Sequence, residues 1–218
     1  MAEITASAVK ALRERTGAGM MDCKKALTEA NGDTDTAIEL LRKWGLKDVS
    51  KRAGKIAAEG VVVSYIHPGD RVGVLLEINC ETDFVARGAE FRDVAHGIAM
   101  HIAAMNPPYV SEDEVPAAVI EKEKEILIET LNDKQKAMAD KILPGKLKKF
   151  YEDNVLLNQI YVKDEEGKKT IQAVVDELSA KVGEKVRIRR FQRFEVGEGM
   201  EKKSEDLAAE VAKTIGEA

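Results

Sequence analysis

The chain is poor in the residues from which most catalytic centres are built. Its only histidines are His67, His96 and His101, and its only cysteines are Cys23 and Cys80. The cysteines stand far apart and suggest no disulfide framework, which fits a reducing cytosol. His96 and His101 are five apart in a helical pattern, so they do not share a face, and this argues against a paired metal site. No Cys-x-x-Cys, His-Glu-x-x-His or Gly-x-Ser-x-Gly spacing occurs. Gly17-Ala18-Gly19 lacks the Gly-Lys-Ser/Thr ending of a phosphate loop and lies between two helical patterns, where it reads as a turn. No apolar run approaches the roughly 20 residues of a membrane span. Met1-Ala2-Glu3-Ile4-Thr5 has neither the basic nor the apolar region of a signal peptide. The expectation is a cytoplasmic protein with no cofactor, no metal and no enzymatic chemistry of its own, one that acts on another protein.

What the chain does have is charge and an ordinary apolar content. Of 218 residues, 33% are charged and 44% hydrophobic, enough for a medium domain and a small one. The net charge of -5 argues against wholesale nucleic-acid binding. Residues 1–46 read as three short helices. The first runs from Thr5 to Arg15 with Val9 and Leu12 inward, and Gly17 stops it. The second places Met20, Cys23, Leu27 and Ala30 on one face. The third is capped by Asp33, buries Ala37, Ile38 and Leu41, and ends at Gly45. Residues 47–59 read as a basic helical linker, residues 60–200 as an α+β core, and residues 201–218 as a weakly amphipathic helix carrying Leu207, Val211 and Ile215.

Within the core, alternating residues on either side of His67-Pro68-Gly69-Asp70 predict a hairpin, with Lys185 to Val196 as a third strand. Ser111 to Glu114 fits a capping box. Residues 116–141 read as a charged helix broken near Asn132-Asp133, with Pro144-Gly145 as a stop. A short helix from Lys146 to Tyr151 and another over residues 170–182 complete the pattern. The predicted fold class is α+β, a three-helix bundle followed by a three-stranded antiparallel sheet with covering helices. Arg187, Arg189, Arg190 and Arg193, with Phe191 and Phe194 among them, suit a basic-aromatic nucleic-acid strand or, more simply, a strand with one wet face.

One short stretch stands apart. In Asn79-Cys80-Glu81-Thr82-Asp83-Phe84-Val85 an aromatic ring adjoins a carboxylate where period-two residues (Val72, Val74, Leu76, Ile78) give way to helical spacing (Phe91, Val94, Ala95, Ile98). Thr82 suits an N-cap at the junction. By spacing alone the ring reads as core and Asp83 as a helix cap; the alternative holds Asp83 and Phe84 outward on rigid supports. Met21 is similarly open: it falls with Lys24, Lys25 and Thr28, off the apolar face, and suits contact or mere packing equally.

A second stretch, Leu12 to Leu27, resembles the N-terminal signature of the elongation factor Ts family, and Asn79 to Val85 resembles that family's central signature with its Thr-Asp-Phe-Val core. Ala99 to Ala104 is similar to a third family segment and Phe194 to Gly199 to a fourth, all in family order. The resemblance implies a nucleotide-exchange factor for elongation factor Tu, the GTPase that carries aminoacyl-tRNA to the ribosome. It implies that the N-terminal helices have a ubiquitin-associated-like fold. It assigns Leu12, Arg13, Met20 and Met21 to gripping the GTPase domain. Thr82, Asp83, Phe84 and Val85 fall to a corner that dislocates Mg²⁺, with Phe84 as wedge and Asp83 as its anchor. Leu207 and Val211 would make a further contact. Only one core subdomain follows the corner, as in the family's short form. Apolar residues on both sides of the first strand (Val61, Val63 and Tyr65 against Val62 and Ile66) then suggest a homodimer closed sheet to sheet. A binding module using the bundle alone, or an RNA-binding protein using the arginine strand, are the rival readings.

Overall fold

The alternating residues around the His67–Asp70 turn form the hairpin that their pattern predicts. In the computed structural model, which describes residues 4–52 and 54–200, strand β1 (Glu59–Ile66) pairs antiparallel with β2 (Val72–Cys80). Strand β3 (Arg187–Glu195) pairs antiparallel with the other edge of β2, so the sheet order is β1-β2-β3. One face of this sheet is covered by helix α5 (Ala89–Met105) and flanked by α9 (Ile171–Val182). Leu76 and Ile78 of β2 meet Phe91, Ile98 and Ile102 of α5 and Ile171 and Val175 of α9 in one buried core. The expected α+β arrangement is the one observed. A bulge between Glu77 and Ile78 interrupts the β2–β3 register, so Arg189 is an extra residue in β3. The extra residue turns both Arg189 and Arg190 onto the Glu77 carboxylate, at 2.9 and 2.7 Å. Strict alternation in the arginine strand therefore fails at this point. The Arg189 hydrogen bond, followed by that of Arg190, pulls the Glu77 carboxyl down to about 2.

The N-terminal residues form α1 (Ala6–Thr16), α2 (Met20–Glu29) and α3 (Thr34–Arg52), packed around Val9, Leu12, Cys23, Ala26, Leu27 and Ala37. The expected stop and cap are present: Gly17 closes α1 in the left-handed region and the Thr36 amide donates to Asp33 Oδ1 at 2.7 Å, while at the start of α1 the Ala8 amide donates to Thr5 Oγ1. The third helix does not end at Gly45. It runs on to Arg52, into the stretch expected to be a separate linker, because Gly45 serves a close helix crossing rather than a stop. A methyl group there would come within 3.0 Å of Ala180 Cβ on α9. Arg42 reaches Glu177 and Arg52 donates to the Ser179 carbonyl, so α3 lies along α9. After Arg52 the chain reaches β1 through a non-helical stretch, residues 54–58.

Two further expectations are corrected, at Ser111 and at Pro144, and the expected break in the charged segment is met. Ser111 makes no side-chain cap; instead the Val110 amide donates to the Glu114 carboxylate at 2.9 Å, ahead of a short 3-10 turn. The charged segment divides into α6 (Ala117–Glu129), a single turn α7 (Asp133–Lys136) and α8 (Ala139–Asn154). The break near Asn132 is real and is made by a capping box with Gln135. Pro144 does not end the helix: it lies inside α8 near its N-terminus and costs one amide there, while α8 packs on α6.

The 3-10 turn Leu156–Asn158 and the residues after it pack against α5 and α9, on the covered side of the sheet. His101 is their buried partner. Its Nε2 lies 2.9 Å from Gln159 Oε1, and the Val162 amide donates to its Nδ1. Nδ1 is thus an acceptor and the ring is neutral. Burial lowers the His101 pKa below 6.5. The folded protein therefore binds fewer protons here than the unfolded chain, and stability falls as pH drops through 6.5 toward the lowered native value. The unfolding free energy of the wild type, compared by urea titration at pH 7.5 and 5.5, is expected to fall more than that of His101→Gln over the same interval.

Candidate functional site

The chain turns sharply where β2 ends. Thr82, in extended backbone, caps the single-turn helix α4 (Asp83–Ala86), the Val85 amide donating to its hydroxyl oxygen at 3.4 Å. The inner side of α4 is anchored: Ala86 is buried and Val85 packs against the core. Phe84, just before them in the same turn, points the other way and is 85% exposed. That position rules out Phe84 as a core residue. Asp83 is exposed beside it and accepts from Arg87 Nη2 at 2.6 Å. Cys80, just below, donates to the Thr82 carbonyl, and burial pushes its thiol up to about 11, so it is an inert structural thiol.

The corner is held from a distance by residues that no local pattern marks. Helix α9 closes at Gly183, which takes φ 75°, the left-handed conformation glycine adopts freely. That turn delivers Glu184 to the corner. Glu184 Oε2 accepts the amides of Glu81 and Thr82, each at 3.0 Å, and Oε1 accepts the Thr82 hydroxyl at 2.6 Å. Reciprocally, Glu81 Oε1 accepts the Lys185 amide at 2.7 Å and Oε2 the Lys55 ammonium at 2.7 Å. Lys55 and then the Lys185 amide hold the Glu81 carboxyl below its usual range.

Of the bundle residues, Leu12 is 1% exposed and belongs to the bundle core. Its side chain is therefore not on the exposed face of α1 and offers no surface for a direct contact. Arg13 is exposed, Met20 about half exposed, and Met21 is 74% exposed on α2. The bundle rests on α9, where the turn at Gly17 contacts Lys181, which also pairs with Glu90 of α5. One helix and the loop after it therefore support both the bundle and the corner. Leu207 and Val211 lie outside the described residues.

The sheet face away from α5 is covered by no described residue and is mixed: the row Val62–Glu77–Arg190 is charged, and apolar side chains gather toward the other end of the strands, beside Ser64 and Gln192. Val62, Ile66, Leu75, Phe194 and Val196 are all exposed there. Ile66, Gly73 and Phe194 stand side by side in one row of the register, bordering a shallow groove of about 360 Å³. Among the described residues no group of three His, Cys, Asp or Glu side chains is placed to hold a metal, and no helix is long and apolar enough to cross a membrane.

Residues 3–198 match the family described as Elongation factor TS. The chain is 58% identical over 217 residues to the elongation factor Ts of Desulforamulus reducens, covering 99% of each chain. It is 53% identical to that of Finegoldia magna and 52% to that of Myxococcus xanthus, with all of both chains covered in each case.

Proposed function

The chain belongs to the elongation factor Ts family of translation elongation factors, and from that premise we propose that it is a guanine-nucleotide exchange factor for elongation factor Tu, without enzymatic chemistry of its own. The observation that carries the proposal is Phe84, an aromatic side chain 85% exposed on a one-turn helix whose other side is fixed in the core. Leaving such a ring in water forgoes roughly 2–3 kcal/mol of burial. A pocket on the partner recovers it. Phe84 enters the partner near its Mg²⁺ and phosphate site, and Asp83 anchors the wedge. Mg²⁺ coordination is disturbed, the diphosphate loses its counter-charge, and GDP leaves without the factor touching the nucleotide. An exchange factor of this kind binds the nucleotide-free partner more tightly than the GDP-bound one, and by linkage weakens GDP by the same factor.

Arg13, Met20 and Met21 are the gripping surface of the bundle in this reading, over a core that includes Leu12. Thioether side chains adapt to an irregular partner surface, which suits a contact that persists while the partner rearranges. Leu207 and Val211 add a contact near the C-terminus. Residues 1–46 act as the gripping unit, residues 60–200 carry the corner, and the site of action is the cytoplasm. The RNA-binding alternative has little to draw on, since Arg189 and Arg190 both bond Glu77 within the sheet. A binding module that uses the bundle alone leaves Phe84 without a purpose.

The test is release of fluorescent GDP from elongation factor Tu. Addition of the chain in micromolar amount is expected to accelerate release severalfold or more; an unchanged rate contradicts the proposal. Joint substitution of Met20 and Met21 by Ala is expected to raise the concentration needed for half-maximal acceleration about tenfold while leaving the maximal rate nearly unchanged. Titration of the acceleration against factor concentration separates the two quantities.

A further inference from the structure

Two acidic side chains cross between the corner and the loop after α9. Glu81 reaches from the corner to the loop and accepts the Lys185 amide; Glu184 reaches from the loop to the corner and accepts two amides and the Thr82 hydroxyl. These partners lie 102 to 104 residues apart in sequence. The loop is itself fixed, since Ser179, buried in α9, donates its hydroxyl to the Glu184 carbonyl at 2.5 Å. Lys55 joins the clasp from the chain that leaves the bundle. Its ammonium donates to Glu81, and its carbonyl accepts from Lys185 Nζ at 2.9 Å.

The hydroxyl of Thr82 links the clasp to the wedge. It gives its proton to Glu184 and uses its oxygen to cap α4. A hydroxyl that donates to a carboxylate is a better acceptor, so the bond to Glu184 strengthens the cap. Helix α4 has one turn, too short to hold itself. Its orientation is set by the cap at one end and by Val85 and Ala86 beneath.

We infer that Glu184 is a positioning residue for nucleotide exchange: through Thr82 it fixes the direction in which α4 presents Phe84, and with Glu81 and Lys55 it makes the bundle and the corner move as one body. The inference rests on the exchange reading above. Glu184 does not touch the partner in this scheme. It limits the angle over which the ring swings, and a loosened corner spreads the force that the wedge delivers. A displacement of about 1 Å in such a group costs up to about a hundredfold in rate.

The test is the rate of GDP release from elongation factor Tu as a function of factor concentration, with Glu184→Ala, Glu184→Gln, Phe84→Ala and the double variant Phe84→Ala/Glu184→Ala. Glu184→Ala is expected to lower the maximal release rate at least about tenfold, with the half-saturating concentration changed less than about threefold. Glu184→Gln keeps an oxygen for the two amides but not the second acceptor for the Thr82 hydroxyl, so its rate is expected to lie between wild type and Glu184→Ala. In the Phe84→Ala background, Glu184→Ala is expected to add little, because its effect passes through the ring. Wild-type release by both Glu184 variants, or full additivity with Phe84→Ala, overturns the inference. If Glu184→Ala does not fold, Glu184→Gln decides alone: an unchanged maximal rate overturns it. Slow release by Phe84→Ala with normal release by the Glu184 variants removes the clasp and keeps the wedge; normal release by Phe84→Ala removes the wedge reading itself.

Discussion

Phe84→Ala is expected to slow factor-stimulated GDP release tens- to hundreds-fold while leaving the thermal midpoint of the protein nearly unchanged. Both halves follow from one placement. The ring is 85% exposed, so its removal takes no packing from the core, where Val85 and Ala86 remain to seat α4. The cap from Thr82 and the clasp from Glu184 bond the backbone and the hydroxyl, and neither depends on the ring. All of the ring's worth therefore lies in the complex, where truncating one well-buried aromatic anchor costs roughly 2–4 kcal/mol. The substitution of an exposed surface residue usually changes stability by no more than about 0.5 kcal/mol. Calorimetric melting of the free variant and stopped-flow release with the partner check the two halves separately. A large fall in melting temperature contradicts the placement, and an unchanged release rate contradicts the role.

Phe194→Glu is expected to convert a self-associating protein into a monomer. The outer sheet face carries a cluster of Ile66, Leu75, Phe194 and Val196, all exposed, with Val62 beside the Glu77–Arg190 pair, and no described element lies over them. Monomeric proteins seldom leave a contiguous apolar patch of more than a few hundred Å² in water. Two segments of the chain itself are the alternative covers for this face: residues 154–162 pack on the opposite side of the sheet, where Leu156 is in the core and Gln159 bonds His101, and the C-terminal helix expected over residues 201–218 lies outside the described residues. We propose a second copy as the cover, one sheet face stacked on the other about a two-fold axis. A dimer of this kind presents two Phe84 corners and binds two partner molecules. Phe194 sits in the Ile66–Gly73–Phe194 row, so a carboxylate there faces its own copy or the apolar row of the other chain. The wild type in sedimentation equilibrium at micromolar concentration is expected to move toward twice the 24.0 kDa chain mass as concentration rises. Phe194→Glu is expected to stay at the single-chain mass. A wild type that shows one chain mass at every concentration contradicts the dimer.

The hairpin, the three strands, the cap at Asp33 and the break near Asn132 were legible because each is written in a few adjacent residues. Local signals failed where a distant contact overrode them. Gly45 looks like a helix end, and α9, more than a hundred residues later, is what makes it a crossing point. Pro144 looks like a stop, but α8 begins only a turn before it and packs on α6. The arginine strand looks like simple alternation, yet the bulge at Glu77 puts two neighbouring arginines on one carboxylate. The candidate site divides in the same way. Thr82 as cap followed from the sequence. The outward direction of Phe84 did not follow from spacing, which favoured burial; it depends on Val85 and Ala86 taking the inner side of a single turn. Leu12 was legible as a core residue of α1, and it is one. Glu184 and Lys55 carry no local signature, because their partners lie 102 and 26 residues away.

Exchange by this chain requires that it discriminate between two states of one partner. Calorimetric titration of the chain into nucleotide-free and into GDP-bound elongation factor Tu measures that discrimination directly. Much tighter binding to the nucleotide-free form is expected, by a factor equal to the weakening of GDP in the complex. Equal affinity for the two forms contradicts it, because a ligand that does not distinguish two states shifts no population between them.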